Sequence, residues 1–115
     1  MQNSVKDLIV WRKAMDVVKD IYLTARNLPE SERFGLASQL CRAAVSIPSN
    51  IAEGAKRGTK KEFVHFLHIA SGSAAEAETQ LILVSRLYPN VTLGDVLTKL
   101  SEVQKMLAGL IRVKG

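Results

Sequence analysis

Residues 43–63 read AAVSIPSNIAEGAKRGTKKEF, and the way this stretch folds constrains everything around it. Ala43, Ala44, Ile47, Ile51 and Ala55 recur at intervals of three and four, the spacing of one helix face. Pro48 interrupts that helix. It removes one N–H and leaves the Ala44 carbonyl without its partner, so a kink is expected there. Ser46, Ser49, Ser71 and Ser73 are near enough to compensate, and Asn50 can bond to nearby backbone. Gly58 suits the helix end. Thr59-Lys60-Lys61-Glu62 has the form of a capping box, with Thr59 as N-cap and Glu62 at the third helical position. The stretch therefore predicts two helices meeting in a tight turn near Gly58.

The same periodicity extends in both directions. Upstream, the second helix spans about residues 32–57, with Leu36 and Leu40 on its apolar side. Downstream, the third spans about 59–88, with Phe63, Phe66, Ala70, Ser73, Ala77 and Val84 on one face and Leu67, Ala74 and Leu81 beside them. Pro89 and Asn90 end it. A first helix covers about 6–27 and a fourth about 92–113, the latter opening on a weaker box from Thr92 to Asp95. No hairpin dipeptide or sustained alternation favours strands. Four long helices with short connections predict an all-α, up-down-up-down antiparallel four-helix bundle with its second helix kinked at Pro48, as one domain over 1–115.

The first helix carries two apolar stripes. Leu8, Trp11, Met15, Val18, Tyr22 and Ala25 make one; Val10, Ala14, Val17, Ile21 and Leu28 make another, broken by Thr24. A helix in a monomeric bundle needs only one. The second stripe, Val10, Ala14, Val17 and Ile21, is therefore expected at a contact between copies, making the protein a homo-oligomer.

Equidistance from the turn places Ala44 opposite about Gly72, within small-residue neighbourhoods on both helices. Gly72 is then expected to serve close backbone approach. The same register brings Arg42 near Glu76 and Glu78 and predicts an ion pair with one of them, fixing register more than adding stability.

The chain has 115 residues, 47% of them hydrophobic but only 5% aromatic, so the core must be aliphatic. No apolar run approaches a membrane span or signal-peptide length, and the single cysteine, Cys41, cannot form an internal disulfide. A cytoplasmic protein with no membrane association is expected, with Cys41 as inert packing. The net charge is +5. Lys56, Arg57, Lys60 and Lys61 contribute four cations with no acid among them, whereas the other twelve nearly balance eleven acids. Lys60 and Lys61 fall in a helix's first turn, where the dipole disfavours cations. They are not there for helix stability, and phosphate contact is the functional reading, with Lys13 as a further candidate. Arg12, Lys19 and Arg26 are additional cations, but they alternate with Asp16 and Asp20 along the first helix.

Glu62-x-x-His65 has the form of half a di-iron site, but no second such pair exists. No nucleophile–base set, phosphate loop or Cys/His cluster is present either. The sequence thus predicts no catalytic residues, no metal and no cofactor, and a small metal-binding enzyme is the remotest alternative. A protein-interaction hub with an unknown protein partner is the nearer one.

The run QLCRAAVSIPSNIAEGAKRGTKKEFVHFL resembles the signature of the four-helix-bundle family of 23S ribosomal RNA intervening-sequence proteins. The shared SIPSNIAEG core contains Pro48, Asn50, Glu53 and Gly54. LIVWRKAMDVVKDIY and AEAETQL extend the likeness to about residues 8–87. Cys41 stands where a typical member has Arg. The resemblance implies a bacterial bundle without catalytic residues, with Arg42 and Glu76 in its structural motif, to which the register argument adds Gly72. Related accessory variability proteins of diversity-generating retroelements form pentameric rings that bind nucleic acid. That relationship implies a homopentamer able to hold RNA or DNA.

Overall fold

The computed structural model describes residues 8–115. Helix α1 spans Ile9–Arg26, α2 Leu36–Lys56, α3 Lys60–Leu87 and α4 Val96–Lys114. A single 3-10 turn, Glu30–Glu32, precedes α2. The expected start of the first helix at Lys6 lies outside the described residues. Each helix packs on its two neighbours in the order α1–α2–α3–α4–α1, and among the described residues the backbones of diagonal helices do not come close, so only their side chains meet, in the core. This is the up-down-up-down four-helix bundle.

Two boundaries differ from the sequence expectation. Residues 32–35 do not join α2, because Gly35 occupies the N-cap position with a non-helical backbone. Glu32 serves instead as a surrogate cap, its Oε1 accepting the Leu36 N–H at 3.1 Å. The fourth helix starts at Val96 and not at Thr92, since Gly94 turns the chain with φ +59° just before it.

The core is aliphatic. Leu40, Ile47 and Ile51 from α2 meet Leu67, Leu81 and Val84 from α3 and Val96, Leu100, Val103 and Leu107 from α4, all essentially inaccessible. Each such side chain contributes roughly 1.5–3 kcal/mol relative to exposure. The α2–α3 pair makes the most extensive contact in the bundle. Small buried side chains explain it: Ala43 and Ala44 on one helix, Ala70, Ala74 and Ala77 on the other.

The glycine responsible for close approach is Gly54, not Gly72. A Cβ at Gly54 would lie 2.7 Å from the Phe66 Cβ and 3.1 Å from the Phe63 ring, whereas one at Gly72 meets nothing within 4 Å. The Ser46–Ser73 and Gly54–Phe66 contacts set a register about one helical turn away from simple equidistance. Helices present residues inward only at every third or fourth position, and the alanines choose among those positions. Gly72 is consequently left exposed.

Helix α2 continues through Pro48, which is buried. Asn50 stitches the preceding turn: its Nδ2 donates to the Ser46 carbonyl at 2.8 Å and to Ser46 Oγ at 2.9 Å. Ser46 and Ser73 join their hydroxyls across the helix pair at 2.8 Å. Among the described residues, no hydroxyl reaches the Ala44 carbonyl that Pro48 leaves free.

The two stripes of α1 are assigned the opposite way from the sequence expectation. Val10, Ala14, Val17 and Ile21, expected between copies, are 0–2% exposed inside their own subunit. Thr24, which seemed to interrupt that stripe, is buried with it, its hydroxyl donating to the Asp20 carbonyl at 3.2 Å. The other stripe stays open: Met15 and Tyr22 are 44% and 43% exposed, with Trp11 and Val18 half-buried beside them.

Candidate nucleic-acid interface

The antiparallel topology gathers the α2–α3 turn, the start of α1 and the end of α4 at one end of the bundle. The turn is built by Thr59, whose hydroxyl oxygen accepts the Glu62 N–H at 3.1 Å. The capping box is present in altered form, because the Glu62 carboxylate accepts the Thr59 hydroxyl at 3.2 Å. Gly58 takes the left-handed conformation, φ +92°, that reverses the chain.

The cations of this end are not equivalent. Arg57 is occupied: its guanidinium lies 3.0 Å from Glu53, 3.6 Å from Glu62 and 5.0 Å from the Phe66 ring centre. Glu53, expected within the structural motif, thus holds Arg57. Lys13 reaches Glu102 on α4 at 3.7 Å. Lys56, Lys60 and Lys61 are exposed and have no carboxylate within ion-pair distance among the described residues. Three cations of the five named from sequence therefore remain unneutralised at the turn.

Arg112 and Lys114, also exposed, belong to the same end and were not singled out from sequence. The link between the end of α4 and the α2–α3 turn is physical: a Cβ built on Gly115 would stand 3.9 Å from the Val64 side chain in the first turns of α3. Only the tertiary return of α4 reveals this. No local signal in the last helix distinguishes these cations from ordinary solvating ones.

The remaining sequence candidates lie elsewhere. Arg42 and Glu76 border one polar groove between α2 and α3 but do not form an ion pair, and Glu78 instead accepts from Gln104 of α4 at 3.3 Å. His65 is exposed, edge-on to Phe66 at 5.2 Å between ring centres. Its would-be co-ligand Glu62 is taken by Arg57 and Thr59. Among the described residues, no group of three or more His, Cys, Asp or Glu side chains is placed to hold a metal. Burial pushes the Cys41 thiol up from its usual range, which keeps it protonated. No described helix is long and apolar enough to cross a membrane.

Fold and charge together define a helical bundle with one strongly basic end. The chain belongs to the family of 23S rRNA-intervening sequence proteins, whose family model matches residues 6–109. A solved structure of a protein of unknown function from the S23 ribosomal protein family of Bacteroides thetaiotaomicron VPI-5482 is similar, with 26% identity and a TM-score of 0.79. The match covers 90% of this chain and 99% of that one. No curated protein matches the chain.

Proposed function

We propose that this protein is a non-catalytic, self-associating cytoplasmic bundle whose basic end holds nucleic acid. The observation that carries the reading is the convergence of Lys56, Lys60, Lys61, Arg112 and Lys114, all exposed, at one end. Each phosphate contact contributes modestly and is screened by salt, so one copy binds weakly. Assembly multiplies the contacts and raises avidity. The open face of α1 supports assembly: Trp11, Met15 and Val18 form an apolar groove with Val45, Pro48 and Ala52 of α2. That face also favours the second reading, a hub for a different protein, with the charge serving only solubility.

Titrating labelled RNA and DNA with protein at several salt concentrations separates the two readings. A steep fall of log affinity with log salt supports nucleic-acid binding. No binding at about 50 mM salt contradicts it.

A further inference from the structure

A third groove opens at the far end of the bundle, where α1 finishes and α2 begins. It has a volume of about 830 Å³. That size suits a ligand pocket, typically about 300–1,000 Å³. Two aromatic residues line it. Phe34 is 88% exposed, so its burial adds nothing to the fold, and the Arg33 guanidinium lies 5.2 Å from its ring centre. Tyr22 is 43% exposed on the opposite helix.

Arg26, Arg33 and Arg42 line the same groove, with Glu30 as its only carboxylate. Arg33 approaches Glu30 at 3.5 Å, but both side chains are largely in water and the pair is weak. Arg26 and Arg42 have no carboxylate within 4.0 Å among the described residues. Aromatic planes interleaved with unneutralised guanidinium groups suit a nucleotide chain: each base needs a flat apolar face and each phosphate a cation. An acidic peptide would use the arginines and leave the rings in water. Paired bases cannot stack on protein rings, so the fitting strand is single.

We infer that this groove takes single-stranded RNA, with unpaired bases on Phe34 and Tyr22 and phosphates on Arg26, Arg33 and Arg42. The choice of RNA follows from Ser38, which also lines the groove. The Ser38 hydroxyl makes no hydrogen bond among the described residues, which leaves it free to bond a ribose 2′-hydroxyl. The inference rests on the reading that the protein binds nucleic acid, and it adds single-strand selectivity located away from the basic end.

Phe34 offers a clean test because its exposure lets it change without harming the fold. The affinities to compare are those for an oligouridine of about 12 nucleotides, the matching oligodeoxyuridine and an RNA duplex. Phe34→Ala is expected to weaken binding of the RNA single strand by about 5- to 100-fold. Duplex affinity stays unchanged, and Phe34→Trp restores single-strand binding. The DNA strand binds about fivefold more weakly than the RNA strand; equal affinity removes the assignment to RNA.

An unchanged single-strand affinity in Phe34→Ala, with Lys60→Glu still damaging, overturns this inference alone. Absence of any binding at about 50 mM salt removes both this inference and the proposed function. If Phe34→Ala splits the assembly in light scattering while RNA affinity per subunit holds, the groove is a subunit contact and the inference fails.

Discussion

Gly54 of α2 lies directly against Phe66 of α3, with room for a hydrogen and not for a methyl group. Gly54→Ala is expected to destabilise the protein by about 1–3 kcal/mol through overpacking, less the roughly 1 kcal/mol that alanine gains as a helix former. Gly72→Ala has open space and is expected to stabilise by roughly 0.5–1 kcal/mol. Thermal unfolding of the two variants, moving Tm in opposite directions, checks the contrast.

Gln80 is 6% exposed, and its Oε1 has no hydrogen-bond partner among the described residues. An unsatisfied buried acceptor costs about 1–3 kcal/mol. Gln80→Leu is therefore expected to raise stability by about 1 kcal/mol in urea unfolding. A lower denaturation midpoint would show that the amide has a role that burial alone does not reveal.

Tyr88, at the end of α3, donates its hydroxyl to Glu32 Oε2 at 2.5 Å, tying the 3-10 turn to the bundle. That bond, then the Leu36 N–H, holds the Glu32 carboxyl below its ordinary value, and the same bond raises the Tyr88 phenol. A depressed carboxyl adds stability above its unfolded pKa, lost as pH falls through the folded one. A raised phenol adds stability below its unfolded pKa, lost as pH rises through the folded one. Tyr88→Phe is thus less stable than the parent at neutral pH, and the gap closes in acid below the usual carboxylate range. Paired melts from pH 7 downward read this; a gap constant to strongly acid pH contradicts it.

Lys99 of α4 meets Asp20 of α1 at 2.8 Å, and this bond chiefly raises the lysine's pKa. The contribution is complete below the ordinary lysine pKa and disappears only as pH rises through the raised one. Lys99→Met is expected to lower Tm equally across pH 6–8, with the difference shrinking only in strong alkali.

The reversal on α1 gives a test of assembly. Val17→Asp places an unpaired charge in the core and is expected to unfold the subunit, at a cost of more than about 4 kcal/mol. Met15→Asp, on the open face, leaves circular dichroism unchanged and lowers the assembled mass in light scattering. A parent protein that is already monomeric at micromolar concentration removes self-association from the account.

Much of the fold was legible because the signals were local. Thr59 and Glu62 mark the start of α3, Gly58 marks the reversal, and the three-four spacing of Leu40, Ala44, Ile47 and Ile51 marks a buried face. Features that depend on the angle between helices were not legible. The two stripes of α1 each satisfy the helical period, and Thr24 looked like a break because its hydroxyl's partner, the carbonyl one turn back, leaves no mark in the sequence. Register between α2 and α3 depended on which small residues met, so Gly54 was recognised only as part of a motif and Gly72 was given its role. The basic turn was visible as a charge run. Its neutralisation at Arg57 lay in a local i,i+4 spacing from Glu53 that the charge run obscured, whereas its extension by Arg112 and Lys114 required the three-dimensional return of α4.

The central claim is that lysines at one end of the bundle contact phosphates. The most direct measurement is the salt dependence of RNA affinity for the parent and for Lys56→Gln/Lys60→Gln/Lys61→Gln, all at exposed positions that leave the fold intact. Each lost contact with single-stranded RNA should reduce the magnitude of the log–log slope by about 0.7 per subunit engaged. A triple variant with the parent's slope and affinity would contradict the account.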